Sequence, residues 1–153
     1  MKSTPPDTDI LSNFGETLSE LMFDAHMTPE ALSKAIGADL SVIYRYLRKE
    51  QLPTLQRALA IADLFACSLD YLFGLSHAEP HMTYRPAPPF AERFRTMLAQ
   101  HGQTRYYLAK KTQFSAQTLD DWYHGKRQPG MESVIALAKH FHCSLDELLG
   151  REN

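Results

Sequence analysis

The segments CSLDYLFG, residues 67–74, and CSLDELLG, residues 143–150, decide the fold of this 153-residue chain. They lie 76 positions apart, and at that offset residues 14–74 align with residues 90–150 without a gap. Of these 61 aligned positions, 15 are identical, and many others exchange one apolar residue for another. Self-similarity at a fixed offset predicts that the chain contains one small domain twice.

The composition is that of a soluble globular protein, with 44% hydrophobic and 22% charged residues. No apolar run approaches the roughly 18 residues of a membrane span, and the N-terminal residues do not resemble a signal peptide. We therefore expect a cytoplasmic protein without a membrane partner. Cys67 and Cys143 occupy the same repeat position, which favours one buried thiol per unit over a disulfide.

The net charge of −2 conceals an asymmetry between the two halves. Residues 1–76 contain 6 basic and 10 acidic side chains, whereas residues 77–153 contain 10 basic and 8 acidic ones. Bulk positive charge, which often marks a DNA-binding domain, is missing. A nucleic-acid partner must therefore be argued from where individual side chains lie.

Helical periodicity and proline content predict the domain organisation. Phe14, Leu18 and Met22 recur at helical spacing, and Asp9 is a plausible N-cap before them. We predict a flexible tail over 1–9, a first domain over 10–75, a Pro-rich linker over 76–89 and a second domain over 90–150. No useful stretch alternates with period two, so no sheet is expected.

Each unit is predicted to contain a short second helix, a turn of three residues and a third helix. The second helices are expected at 29–35 and 105–111, beginning after the capping threonines Thr28 and Thr104. Asp39 and Ser115 are expected to cap the third helices. A fourth helix (55–66 and 131–142) and a short fifth helix then complete each unit. Tyr46 and Trp122 share one position of the third helix and are expected in the core.

This pattern resembles the Cro/phage-repressor (Xre-like) helix-turn-helix family over 14–74 and 90–150. The residues that carry the resemblance are Thr28, Leu32, Gly37, Ile43, Pro53 and 68–70 in the first unit, and Thr104, 108–109, Ser115, Leu119, 125–129, 137–138 and 144–149 in the second. The resemblance implies an all-α fold made of two tandem five-helix lambda-repressor-like helix-turn-helix domains.

The resemblance also implies a DNA-binding mode, in which the third helix enters the major groove and the second contacts the backbone. The base-reading residues it implies are Leu40, Ser41, Val42 and Arg45 in the first unit, and Ala116, Gln117, Thr118 and Asp121 in the second. The implied phosphate contacts are Thr28, Arg48, Lys49, Thr104, Arg105, Lys126 and Arg127.

The chemistry of these side chains differs between the units. Arg45 can grip guanine O6 and N7, and Gln117 can read adenine N6 and N7. Asp120 and Asp121 are adjacent carboxylates, which are unfavourable near phosphate. The first unit therefore has the more basic recognition helix, and the second has the better set of backbone contacts.

A metal or catalytic site is not expected. His140, His142 and Cys143 cluster at the end of the fourth helix, with His77 and His81 in the linker. Leu64 and Ala66 stand at the positions of His140 and His142 in the first unit, so the fold does not require a metal there. No glycine-rich phosphate loop, zinc-type spacing or nucleophile motif is present, so no cofactor and no enzymatic activity are expected.

The expected function is that of a bacterial or phage transcription regulator, a repressor, with double-stranded DNA as its partner. The alternative is a helix-turn-helix protein-interaction module, antitoxin-like or anti-repressor, in which one or both domains do not bind DNA. A homodimer or a protein partner stays open in either case. Steeply salt-dependent DNA binding would favour the transcription regulator over the protein-interaction module.

Overall fold

In the computed structural model, which describes residues 6–76 and 83–152, the chain folds into two compact units. The boundary between the units falls between Thr83 and Tyr84. The described residues form ten helices and no strand, so the predicted all-α architecture is confirmed. The first unit has α1 (Pro6–Asp24), α2 (Pro29–Ile36), α3 (Leu40–Leu47), α4 (Leu55–Phe65) and α5 (Leu69–Leu72). The second has α6 (Phe90–Gln100), α7 (Arg105–Lys111), α8 (Ala116–Tyr123), α9 (Met131–Phe141) and α10 (Leu145–Leu149).

Side-chain caps mark where α2, α7 and α8 begin. The Thr28 hydroxyl accepts a hydrogen bond from the Ala31 N–H at 3.1 Å, and Pro29 then opens α2. Thr104 and Ser115 cap α7 and α8 in the same way. Each such cap contributes about 1 kcal/mol by satisfying a backbone donor that the helix leaves unpaired.

The core of the first unit gathers around Phe14 of α1. Its ring stacks on Phe73 at 5.3 Å and meets Tyr46 of α3 edge-on at 5.4 Å. Tyr46 is only 1% exposed, which confirms the predicted core role, and burial raises the pKa of its hydroxyl. These contacts attach the recognition helix to the first helix of the unit.

The core of the second unit gathers around Trp122 of α8. Its indole meets Phe94 of α6 edge-on at 6.0 Å and Phe114 at 4.9 Å. Because Trp122 is buried, its predicted core role is also confirmed. The same repeat position therefore anchors the third helix in both units.

The N-cap predicted at Asp9 is wrong, because α1 begins at Pro6. A proline in the first turn loses no helical hydrogen bond, so this helix can start earlier than its apolar stripe. Residues 6–9 of the predicted tail are therefore helical, while residues 1–5 lie outside the described part of the chain.

The second unit extends beyond its predicted limits at both ends. The Arg85 N–H donates to the Arg151 carbonyl at 2.8 Å, so part of the predicted linker packs on this unit. The Arg151 side chain is 1% exposed, forms an ion pair with Asp146 and lies 4.6 Å from the centre of the Tyr84 ring. This arginine just after the repeat is thus a core residue; residues 77–82 of the linker lie outside the described residues.

Candidate nucleic-acid interface

The first turn of α3 presents the predicted base-reading positions of the first unit. Ser41 is exposed and Leu40 is half-buried. Val42 is only 8% exposed and belongs to the core, so its predicted base-reading role is corrected. The resemblance assigned the role by position alone, whereas the apolar side chain of Val42 packs inward.

Arg45 of α3 is held by a residue that the sequence analysis missed. Its Nε–H donates to Oε1 of Gln51 at 2.9 Å, and both side chains are half-buried. Gln51 lies in the loop after α3, six residues away along the chain. Sequence alone carried no signal for this contact, since it depends on how the loop turns back toward the helix.

The predicted phosphate contacts of the first unit are engaged in ion pairs. Arg48 lies 3.1 Å from Glu50, and Lys49 lies 3.0 Å from Glu16, all with largely exposed side chains. Exposed pairs of this kind are worth about 0–1 kcal/mol, so a phosphate can replace the carboxylate at little cost. Thr28, at the start of α2, is exposed, and a helix N-terminus of this kind favours phosphate.

Lys49 has the same left-handed backbone conformation as Gly125, which occupies the equivalent position in the second unit. Its φ is +65°, and φ is +73° at Gly125. A left-handed conformation strains any residue with a Cβ by about 1–2 kcal/mol. The turn after the recognition helix is therefore the same in both units, although only one of them has glycine there.

In the second unit, α8 presents a connected polar surface. Ala116 and Gln117 are exposed, and Thr118 and Asp121 are half-buried. The Gln117 Nε2–H donates to Oδ1 of Asp121 at 3.0 Å, one helical turn later. The two predicted base-reading residues are thus one hydrogen-bonded pair.

Arg127, in the loop after α8, contacts the Asp121 member of this pair. Its Nε lies 3.5 Å from Oδ2 of Asp121, and its Nη2 donates to the Thr118 hydroxyl at 3.1 Å. The two oxygens of the Asp121 carboxylate are therefore shared between Gln117 and Arg127. The Asp121 carboxylate, which was predicted to be unfavourable near phosphate, is therefore paired with the positive charge of Arg127.

Asp120 is neutralised in the same way by Arg105 of α7, whose Nη1 lies 2.8 Å from the carboxylate. The Arg105 guanidinium also lies 4.0 Å from the centre of the Tyr123 ring. Thr104 and Lys126, the other predicted phosphate contacts of this unit, are exposed. Within the described part of the chain Lys126 forms no ion pair, which leaves its charge available to a phosphate.

Two tyrosines on α7 add an aromatic and basic patch. Tyr106 is 71% exposed and lies 5.1 Å from the Lys110 ammonium. Tyr107 is partly exposed beside Lys111. Both rings are therefore accessible on the outer face of α7.

Of the two histidines at the end of α9, His140 is half-buried and hydrogen-bonded, whereas His142 is exposed. His140 Nε2 lies 2.8 Å from Gln103 Oε1, and burial, helped by His142 and His101, lowers the pKa of His140. Among the described residues, no group of histidine, cysteine and acidic side chains is arranged to hold a metal. Neither cysteine forms a disulfide, with Cys67 buried and Cys143 half-buried, and His77 and His81 lie outside the described residues.

Comparison with known families identifies both units. The model described as Cro/C1-type HTH DNA-binding domain matches residues 93–153, and the one described as Helix-turn-helix matches residues 24–72. The chain therefore carries tandem helix-turn-helix domains of the Cro/Xre type, a DNA-binding type of domain. No curated protein and no solved structure gives a significant match to the chain. No helix in the described residues is long and apolar enough to cross a membrane.

Proposed function

We propose that the protein is a sequence-specific DNA-binding transcriptional repressor of the bacterial or phage cytoplasm. In this proposal α3 and α8 enter the major groove, while the N-termini of α2 and α7 lie against phosphates. The observation that carries it is that both Cro/Xre-type units present polar side chains on the outer face of the third helix. Occupying a promoter excludes other proteins sterically, so repression needs no further activity.

The two units are proposed to read different half-sites. Arg45 would grip a guanine through its Nη groups, with Leu40 and Ser41 beside it. Gln117 would read an adenine, flanked by Ala116 and Thr118. Since these sets differ, the DNA site need not be palindromic, although family members usually bind as dimers to pseudo-palindromes.

The proposed phosphate-binding residues differ in whether they must break an ion pair before they can bind a phosphate. Lys126 forms no ion pair within the described residues, whereas Arg48, Lys49 and Arg105 must each exchange a carboxylate for a phosphate. Each contact made should add to the salt dependence, because it releases condensed counterions from the DNA.

One observation favours a second candidate, a protein-interaction module. Four of the five proposed phosphate-binding cations lie in ion pairs with acidic side chains of the same unit. Such pairs lower the net positive charge that the helix-turn-helix surface offers to DNA. The first candidate is preferred because the exposed pairs of Arg48 and Lys49 are weak and exchangeable.

DNA binding at two salt concentrations separates the two candidates. The protein is titrated with mixed-sequence DNA, and a random DNA pool is then used to select bound sequences. A steep fall in affinity with salt, together with an enriched sequence, supports the proposed regulator. Binding that is absent at low salt would contradict it and favour the interaction module.

A further inference from the structure

The most informative feature outside the predicted site is a contact that occurs at the same repeat position in both units. Arg45 and Asp121 stand at equivalent positions of α3 and α8, and Gln51 and Arg127 at equivalent positions of the following loops. In each unit the loop residue contacts the helix residue, at 2.9 Å in the first and 3.5 Å in the second. The identities of all four side chains differ, but the contact is kept.

In the first unit this contact engages the Nε edge of the Arg45 guanidinium. The Gln51 oxygen accepts from Nε, so the four N–H groups on the two Nη atoms stay available. Those groups are the ones that form a bidentate contact with guanine O6 and N7. A long side chain that is already held loses less conformational freedom when it binds.

In the second unit the loop residue Arg127 acts on the base-reading residue Gln117 indirectly, through Asp121. Arg127 holds and neutralises Asp121, and Asp121 accepts from the Gln117 Nε2–H. Flipping the Gln117 amide would set its oxygen against the carboxylate, so one orientation is favoured. The remaining N–H and the carbonyl oxygen of Gln117 then match adenine N7 and N6.

We propose that Gln51 and Arg127 are positioning residues that set base preference by holding Arg45 and, through Asp121, Gln117. This inference rests on the proposed function and assigns Arg127 a different role from phosphate binding. It makes the loop after the recognition helix a determinant of specificity in both units. It also explains how Asp121 can lie at a DNA-binding surface without an uncompensated charge.

The test measures discrimination, the affinity ratio between the selected DNA and the same DNA changed at one base pair. Gln51→Ala should lower discrimination at the guanine contacted by Arg45 by about 10-fold. Gln51→Glu keeps an acceptor for Nε, so it should retain discrimination while its negative charge weakens binding to all sequences. A merely structural role would not separate these two variants.

Arg127→Ala is compared with its neighbour Lys126→Ala in the second unit. Arg127→Ala should reduce discrimination at the adenine contacted by Gln117 as much as Asp121→Ala does. The double variant should lose no more than either single one, because all three side chains act as one network. Lys126→Ala should leave discrimination intact and lower the salt slope by about one, as the loss of a phosphate contact does.

The outcomes separate the two proposals. If the native protein selects a DNA sequence but Gln51→Ala keeps full discrimination and Arg127→Ala behaves like Lys126→Ala, the positioning role is overturned alone. If the native protein shows no salt-dependent DNA binding, the proposed function fails and the positioning role fails with it. Thermal unfolding of each variant confirms that it is folded before its affinity is compared.

Discussion

The first unit has a cation on its recognition helix where the second has a carboxylate. Arg45 is held by a neutral glutamine, whereas Asp121 is held by an arginine. The framework beneath them is shared, because Tyr46 and Trp122 anchor both helices at one repeat position. The comparison teaches that packing and recognition can diverge independently after a duplication: the buried face stays apolar, while the outer face changes its charge.

The largest expected effect concerns stability at two equivalent positions near the ends of the units, Arg151 and Leu75. Arg151→Ala should reduce the stability of the second unit by about 3–5 kcal/mol, because it leaves the buried carboxylate of Asp146 without its partner. Urea unfolding followed by the fluorescence of Trp122, the single tryptophan of the chain, reports on this unit alone. Leu75 stands at the matching position and is 44% exposed, so Leu75→Ala should change the first unit by less than about 1 kcal/mol. Hydrogen exchange of the Leu32 and Ile43 amides reports on the first unit, and equal effects of the two changes on their own units would refute the asymmetry.

The next effect concerns base preference in the first unit. Arg45→Ala should cost about 1–3 kcal/mol on the selected DNA and almost nothing on DNA changed at the contacted guanine. Equilibrium binding to both DNA molecules measures the difference. An equal loss on both sequences would mean that Arg45 contacts phosphate instead of a base.

A smaller effect tests the turn after the recognition helix. Lys49→Gly should make the first unit more stable than Lys49→Ala by about 1 kcal/mol, because glycine adopts a positive φ without strain. Both changes remove the pair with Glu16, so their difference isolates the backbone. Hydrogen exchange of the Leu32 and Ile43 amides reports on this unit. A more stable alanine variant would show that the backbone strain is absent.

The smallest effect is a pH dependence confined to the second unit. Because the folded pKa of His140 is lowered, the unfolded chain binds the proton more readily, and stability falls as pH drops below the ordinary value of about 6.5. His140→Leu, which installs the residue that Leu64 provides in the first unit, should reduce this loss. Urea titrations at pH 8 and pH 5, followed by Trp122, measure it. An unchanged pH dependence in the variant would refute the role of His140.

Much of the fold followed from the sequence because helix signals are local. The cap at Thr28 and the apolar stripe through Phe14 and Leu18 depend only on nearby residues, and they predicted their helices correctly. The core role of Arg151 and its contact with the Tyr84 ring were missed, because a cation–π contact between residues far apart in the chain leaves no periodic pattern. The start of α1 at Pro6 was missed for a related reason, since a helix can extend beyond the stripe that identifies it.

The candidate site was predictable in position but not in its contacts. The repeat and the family pattern placed Gln117 and Arg45 on the outer face of the recognition helices. They could not show that Asp121 would be neutralised by Arg127, since that pair depends on the path of the loop. For Val42 the sequence suggested a contact that the structure does not favour. Its position suggested a base contact, but its apolar side chain packs in the core.

The most direct test of the central claim is selection from a random DNA pool with the native protein, Arg45→Ala and Gln117→Ala. The native protein should select a site with two unlike halves, and each variant should lose sequence preference in one half only. One half should contain a guanine that depends on Arg45, and the other an adenine that depends on Gln117. Loss of preference in the same half by both variants, or a native site that does not change with either, would contradict it.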